Sequence, residues 1–169
     1  MSYTQQGKYQ EMMEYLQEYA SVITEGEKLI CYCRNMAVDA VIHFYAGELR
    51  EKGIPFECDM MLPQNIGISD TDLCKIYGNL LENAVDAVKD LLPENKPYVK
   101  MLTKVKNRKL LIEISNPYSN EIQRREKVFY STKHEGFGIG TASVAEVVQR
   151  MGGYVVFNTE EGIFKVNIF

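Results

Sequence analysis

The chain has no excess of basic charge, no full set of metal-binding cysteines and histidines, and no long apolar run. Lys and Arg number 19 against 23 Asp and Glu, giving a formal charge of −4 and a pI near 5.3. That balance argues against a general nucleic-acid binder, so any anion site must be local. Cys31, Cys33, Cys58 and Cys74 supply one C-x-C pair, and neither a second pair nor His43 and His134 completes a zinc set. They read as reduced thiols. The opening MSYTQQGKYQ lacks an apolar signal core, and no run reaches the roughly 20 apolar residues that a membrane-spanning helix needs. These absences predict a soluble intracellular piece.

What is present is a chain of 169 residues, 46% hydrophobic, enough for one domain with a real core. Tyr9, Met12, Met13, Leu16, Tyr19, Ala20 and Ile23 recur at helical steps between charges and predict a first amphipathic helix. A second runs from Asn35 through Ala37, Ala40, Val41, Phe44, Tyr45 and Leu49, stopping at Gly53 ahead of Pro55. IPFECDMML at 54–62 predicts a strand, and Ser69-Asp70-Thr71-Asp72 caps a helix from about Ser69 to Leu92. YVKMLTKV and KLLIEIS predict a hairpin turning at Lys106-Asn107-Arg108. Residues 116–140 have no sustained period and predict a long binding loop or lid. A helix from Thr141 to about Met151 follows, then a hairpin of GGYVVFN and GIFKVNIF across Thr159-Glu160-Glu161. The order α-α-β-α-β-β-loop-α-β-β predicts an α+β two-layer sandwich, a mixed and mostly antiparallel sheet with helices on one face.

Three stretches carry chemistry. In GNLLENAVDA, Asn79 and Asn83 stand one helical turn apart on a stripe with Asp86 or Ala87, beside an apolar side of Leu73, Ile76, Leu80, Ala84, Val88 and Leu91. One amide oxygen could join a magnesium shell while the other orients a phosphate or water; two solvated surface amides would look the same. In EGFGIGTASVAEVV, Gly136, Gly138 and Gly140 alternate just before a helix, with Ser131-Thr132-Lys133 upstream. Bare backbone amides at a helix start suit phosphates, although a polar loop ending at a cap shares the pattern. In LIEISNPYSN, a strand runs into Asn116, whose amide suits a purine edge or an ordinary Asx turn.

Taken in order, the three stretches resemble the ATP-binding domain of the GHKL superfamily of gyrase, heat-shock chaperone, histidine kinase and mismatch-repair ATPases. GNLLENAVDA looks like its N box, ISNPYSN stands where its adenine box belongs, and STKHEGFGIGTASV looks like its glycine-rich lid. The likeness covers roughly residues 35–169 and is strongest to sensor histidine kinases of the Gram-positive peptide-quorum type. It implies the histidine kinase/gyrase-type ATPase fold and ATP with Mg2+ as ligands. Residue by residue, Asn83 would ligate magnesium and Asn79 would assist the phosphate and metal shell. Asn116 would meet the adenine amino group, Gly136, Gly138 and Gly140 would wrap the triphosphate, and Thr132 and Lys133 would approach the phosphates. Asn120 replaces the closing glycine of the adenine box, and Asp86 stands at a position that is often basic.

In hydrolysing members, a Glu that activates water holds the place of Asn79, and a neutral amide is a poor base. The resemblance therefore implies phosphoryl transfer to a protein histidine, with Asn79 as the catalytic-site residue that marks the difference. Neither His43 nor His134 stands where the acceptor belongs. Residues 1–31 are expected to be a helical remnant of the dimerisation and phosphoacceptor hairpin, and 32–169 the ATP-binding domain. The implied parent is a homodimeric membrane sensor, with this domain in the cytoplasm and a response regulator downstream. The alternative is a catalytically degenerate interaction domain of the same fold.

Overall fold

The structure, a computed structural model, describes residues 31–118, 139–160 and 162–169. The expected first helix and most of the glycine-rich stretch lie outside them.

Helix α1 spans Met36–Glu51, and Asn35 caps it by accepting the Val38 N–H at 2.9 Å. The same side chain donates to the Gln64 carbonyl at 3.1 Å and to Asp70 Oδ1 at 2.9 Å, so one buried residue joins the starts of two helices. Asp39, in the first turn, accepts from the Tyr32 and Cys33 N–H groups at 2.7 and 3.0 Å, tying the entering chain to the domain. At the other end Gly53 takes φ +66°, a left-handed conformation costly for other residues, and Ile54 N–H returns to the Leu49 carbonyl.

Strand β1 (Phe56–Met61) leads to helix α2 (Asp70–Val88), which is capped where the sequence predicts, with Ser69 Oγ accepting from Asp72 N–H. The helix ends four residues before Leu92. Pro93 forces Leu92 into an extended conformation (ψ 149°), and a short 3-10 turn, Pro93–Asn95, fills the gap. Strands β2 (Val99–Lys106) and β3 (Lys109–Pro117) form the predicted hairpin, with Asn107 and Arg108 both at positive φ in the tight turn. Helix α3 spans Ile139–Arg150, starting two residues earlier than the pattern suggests and taking Gly140 into its first turn. β4 (Val155–Glu160) and β5 (Ile163–Ile168) close the fold, with Glu160 paired to Ile163.

The sheet order is β1-β2-β3-β5-β4. β1 and β2 are parallel and the other pairs antiparallel, the mixed sheet the sequence predicts. Alternation along the strands puts Val99, Met101, Ile112, Ile114, Val166 and Ile168 into the core with Leu73, Ile76, Leu80, Ala84 and Val88 of α2. Each large side chain so buried is worth about 2 kcal/mol of gross transfer free energy. The opposite face carries the ion pairs Lys100–Glu57 and Lys165–Glu113. No helix among the described residues is long and apolar enough to cross a membrane.

Candidate functional site

Helix α2 buries Ile76, Leu80, Ala84 and Val88 on one side and leaves Asn79 and Asn83 half-buried on its flank. Asn79 Nδ2 donates to the Lys75 carbonyl at 2.6 Å, one turn back, which fixes the amide and commits its donor. Asn83 differs, because its Nδ2 is out of solvent and has no hydrogen-bond partner among the described residues. A buried amide without a partner is costly, and such groups in native folds often mark a ligand site.

Helix α3 meets both amides. A Cβ placed on Gly140 would lie 2.9 Å from Asn79 Oδ1 and 3.5 Å from both polar atoms of Asn83. Glycine at 140 allows this approach without displacing the Asn79 amide. The first turn of α3, where backbone N–H groups lack partners within the helix, therefore stands beside the two asparagines. Two of the three sequence stretches converge at this point. Gly136, Gly138, Thr132 and Lys133 lie outside the described residues.

Asn116 lies near the end of β3 on the helix-facing side, in register with Phe164 and fully buried. Its Nδ2 donates to the Pro117 carbonyl at 2.9 Å. The donor half of the amide is thus used locally, and the oxygen is what it can offer, the polarity that an exocyclic amino group needs.

Magnesium can be tested against these donors. Among the described residues there is no cluster of three or more His, Cys, Asp or Glu able to hold a metal. The carboxamide oxygens of Asn79 and Asn83 fit an ion that takes one or two protein oxygens and otherwise keeps waters and substrate phosphates. Asp86 does not extend the asparagine stripe as a ligand. It is exposed and pairs with Lys89 Nζ at 2.8 Å, which raises the lysine pKa.

Other polar features were invisible in the sequence. Tyr77 and Thr103, both fully buried, share a hydrogen bond of 3.1 Å between α2 and β2. Burial pushes the Tyr77 hydroxyl pKa well above its ordinary value. His43 is half-buried, its Nε2 3.8 Å from Asp39 Oδ2 and its ring edge-on to Tyr32 at 4.8 Å. All four cysteines are free. Burial raises the Cys33 and Cys58 thiols to about 12, so neither is a ready nucleophile.

Two shallow depressions, of 340 and 660 Å³, lie on the uncovered sheet face and near Pro93 and Pro97, and neither is lined by Asn79, Asn83, Asn116 or Gly140.

Residues 68–169 match the family described as GHKL domain. Among solved structures, the catalytic domain of histidine kinase ThkA is similar in its nucleotide-free form, with 18% identity, 79% of this chain and 89% of that chain covered, and a TM-score of 0.57. The histidine kinase domain of the blue-light activated kinase EL346 from Erythrobacter litoralis is 14% identical over 78% of this chain and 63% of its own, with a TM-score of 0.53. Histidine kinase AdeS of Acinetobacter baumannii covers 94% of this chain and 74% of its own at 14% identity and a TM-score of 0.53. At these identities the likeness is one of fold. No curated protein sequence matches the chain.

Proposed function

Since the chain belongs to the GHKL domain family and shares its fold with histidine kinase catalytic domains, we propose that it is the ATP-binding catalytic domain of a two-component sensor histidine kinase. It binds Mg-ATP and passes the γ-phosphoryl group to a histidine on a helical hairpin of the parent protein. One observation carries the reading: Gly140 abuts Asn79 and Asn83, joining the start of a glycine-led helix to two amides of which one is buried and unpaired.

In this reading Asn83 holds Mg2+ through its amide oxygen and Asn79 orients the adjoining phosphate or water. Asn116 accepts from the adenine amino group. Gly136, Gly138 and Gly140 wrap the triphosphate, and Thr132 and Lys133 neutralise it from the lid side. The bound cation would supply charge neutralisation at the phosphates. The P–O bond to the leaving β-phosphate breaks as a P–N bond to the acceptor imidazole forms, so the reaction needs alignment more than a base. Asn79, a neutral amide where a hydrolase would place a carboxylate, supports transfer over hydrolysis. The parent is a homodimeric membrane sensor of the peptide-quorum type, with this domain on its cytoplasmic side and a response regulator as the next acceptor.

Titration with ATP, with and without magnesium, tests the reading. ATP should bind in the presence of magnesium, and Asn83→Ala should remove most of the magnesium-dependent part. That variant should fold well, since it deletes a buried amide donor that has no partner. No binding at millimolar ATP, or an indifferent Asn83→Ala, would overturn the kinase reading in favour of a degenerate interaction domain. Labelled ATP should leave His43 and His134 unlabelled in the chain alone.

A further inference from the structure

Helix α3 is held to α2 near both ends. At its start Gly140 meets Asn79 and Asn83. At its end Arg150 Nη2 donates to Asp72 Oδ1, a contact between residues 78 apart in sequence. Between the two, Val144, Val147 and Val148 are buried. Apolar packing of that kind resists separation of the helices but is non-directional and sets their axial position only weakly. The ion pair is directional.

The helix lengths agree with this arrangement. At about 1.5 Å per residue, Gly140 and Arg150 are roughly 15 Å apart along α3, and Asp72 is roughly 10 Å from Asn79 and 16 Å from Asn83 along α2. An antiparallel pair in contact at both places has one axial register. The main chain at Asp72 is itself fixed, because its N–H bonds to the Ser69 hydroxyl in the capped first turn of α2. A carboxylate in a first turn and a guanidinium in a last turn also suit both helix dipoles.

We infer that the Asp72–Arg150 pair is the axial stop of α3, setting the distance between Gly140 and the two site amides and so the geometry offered to a magnesium nucleotide. Arg150 is a positioning residue and touches no ligand. The inference rests on the nucleotide-binding reading above.

An ordinary surface ion pair of this exposure would contribute up to about 1 kcal/mol of stability and nothing else. The test is therefore where the effect appears. Arg150→Gln, Arg150→Lys and Asp72→Asn are compared with Lys165→Gln, which deletes the Lys165–Glu113 pair, 2.8 Å long and half-exposed, on the uncovered sheet face. For each, the ATP dissociation constant is measured with magnesium and with EDTA, alongside the melting temperature.

Arg150→Gln and Asp72→Asn should each weaken magnesium-dependent binding about three- to fivefold, the most that such a pair transmits. Arg150→Lys should recover most of it. Lys165→Gln should lower the melting temperature by a similar small amount and leave affinity unchanged. Magnesium-dependent affinity within about 1.5-fold of the parent chain in Arg150→Gln, or an equal loss in Lys165→Gln, overturns the positioning role alone. A parent chain that binds no magnesium nucleotide overturns this role and the nucleotide reading together.

Discussion

Gly140→Ala separates fold from function at one atom. The glycine lies in the first turn of α3 at an ordinary helical backbone conformation, so alanine gains helix propensity, up to about 1 kcal/mol and less near a terminus. Against that, the new methyl would stand 2.9 Å from Asn79 Oδ1, some tenths of an ångström inside ordinary contact. The obstacle is the tip of a flexible side chain, so the amide moves rather than the helix. Its 2.6 Å bond to the Lys75 carbonyl is then strained or lost, at a cost of about 1 kcal/mol. The two terms nearly cancel, and the melting temperature should stay within a few degrees. Nucleotide binding has no such compensation. If Asn79 faces a phosphate or cation as proposed, displacing it removes a contact of about 1.5–3 kcal/mol, roughly tenfold or more in affinity. Calorimetric titration of Mg-ATP beside a thermal melt reads both. A variant that binds Mg-ATP within about twofold of the parent would refute the reasoning. A collapse of the melting temperature would show that the Asn79 amide cannot yield at this contact.

Asn35→Ala removes a cap and two further bonds to Gln64 and Asp70, and should cost about 2 kcal/mol in urea unfolding. A loss under about 0.5 kcal/mol would show that water replaces all three. Tyr77→Phe strands the buried Thr103 hydroxyl and should cost about 1–2 kcal/mol, most of it recovered in the double variant with Thr103→Val; simple additivity of the two losses would refute this. At pH 8, iodoacetamide should label exposed Cys31 well before Cys33 and Cys58, whose thiols near pKa 12 are ionised about one part in ten thousand. Both pKa values are raised from 9.0 in the folded state, so it holds their protons where the unfolded chain releases them. The stability they contribute is complete below pH 9 and falls as pH rises toward 12; a flat melting temperature from pH 9 to 11 would contradict it.

Much of this was legible in the sequence because periodicity and punctuation agree locally. Gly53 before Pro55, Ser69 three residues before Asp72 and the alternation in LIEIS each name an element and one of its ends. Of the apolar stripe read for α2, Leu73, Ile76, Leu80, Ala84 and Val88 are buried, the equally buried Tyr77, Leu81 and Val85 were not read, and Leu91 falls beyond the helix because Pro93 acts on the backbone before it. The early start of α3 was hidden for a different reason. Glycines read as loop unless a neighbour demands their missing side chain, and that neighbour, Asn79, is about sixty residues away in the chain. Tyr77 with Thr103 and Asp72 with Arg150 were hidden likewise, since no local pattern identifies a partner across the fold. The convergence of Asn79, Asn83 and Gly140 could be proposed from a resemblance, but its spacing required coordinates.

The parallel pairing of β1 with β2 bears on how the domain assembles. Two parallel neighbours cannot be joined by a tight turn, and here the connection that carries the chain back across the sheet contains α2 itself. The edge strand reaches its register only by closing this whole crossover, at the loop-closure entropy of the segment that contains α2. Asn79 and Asn83 therefore lie within the crossover that the sheet must close rather than on a surface appendage. Damage to the α2 core should therefore slow the appearance of the sheet and of the two amides with a single rate.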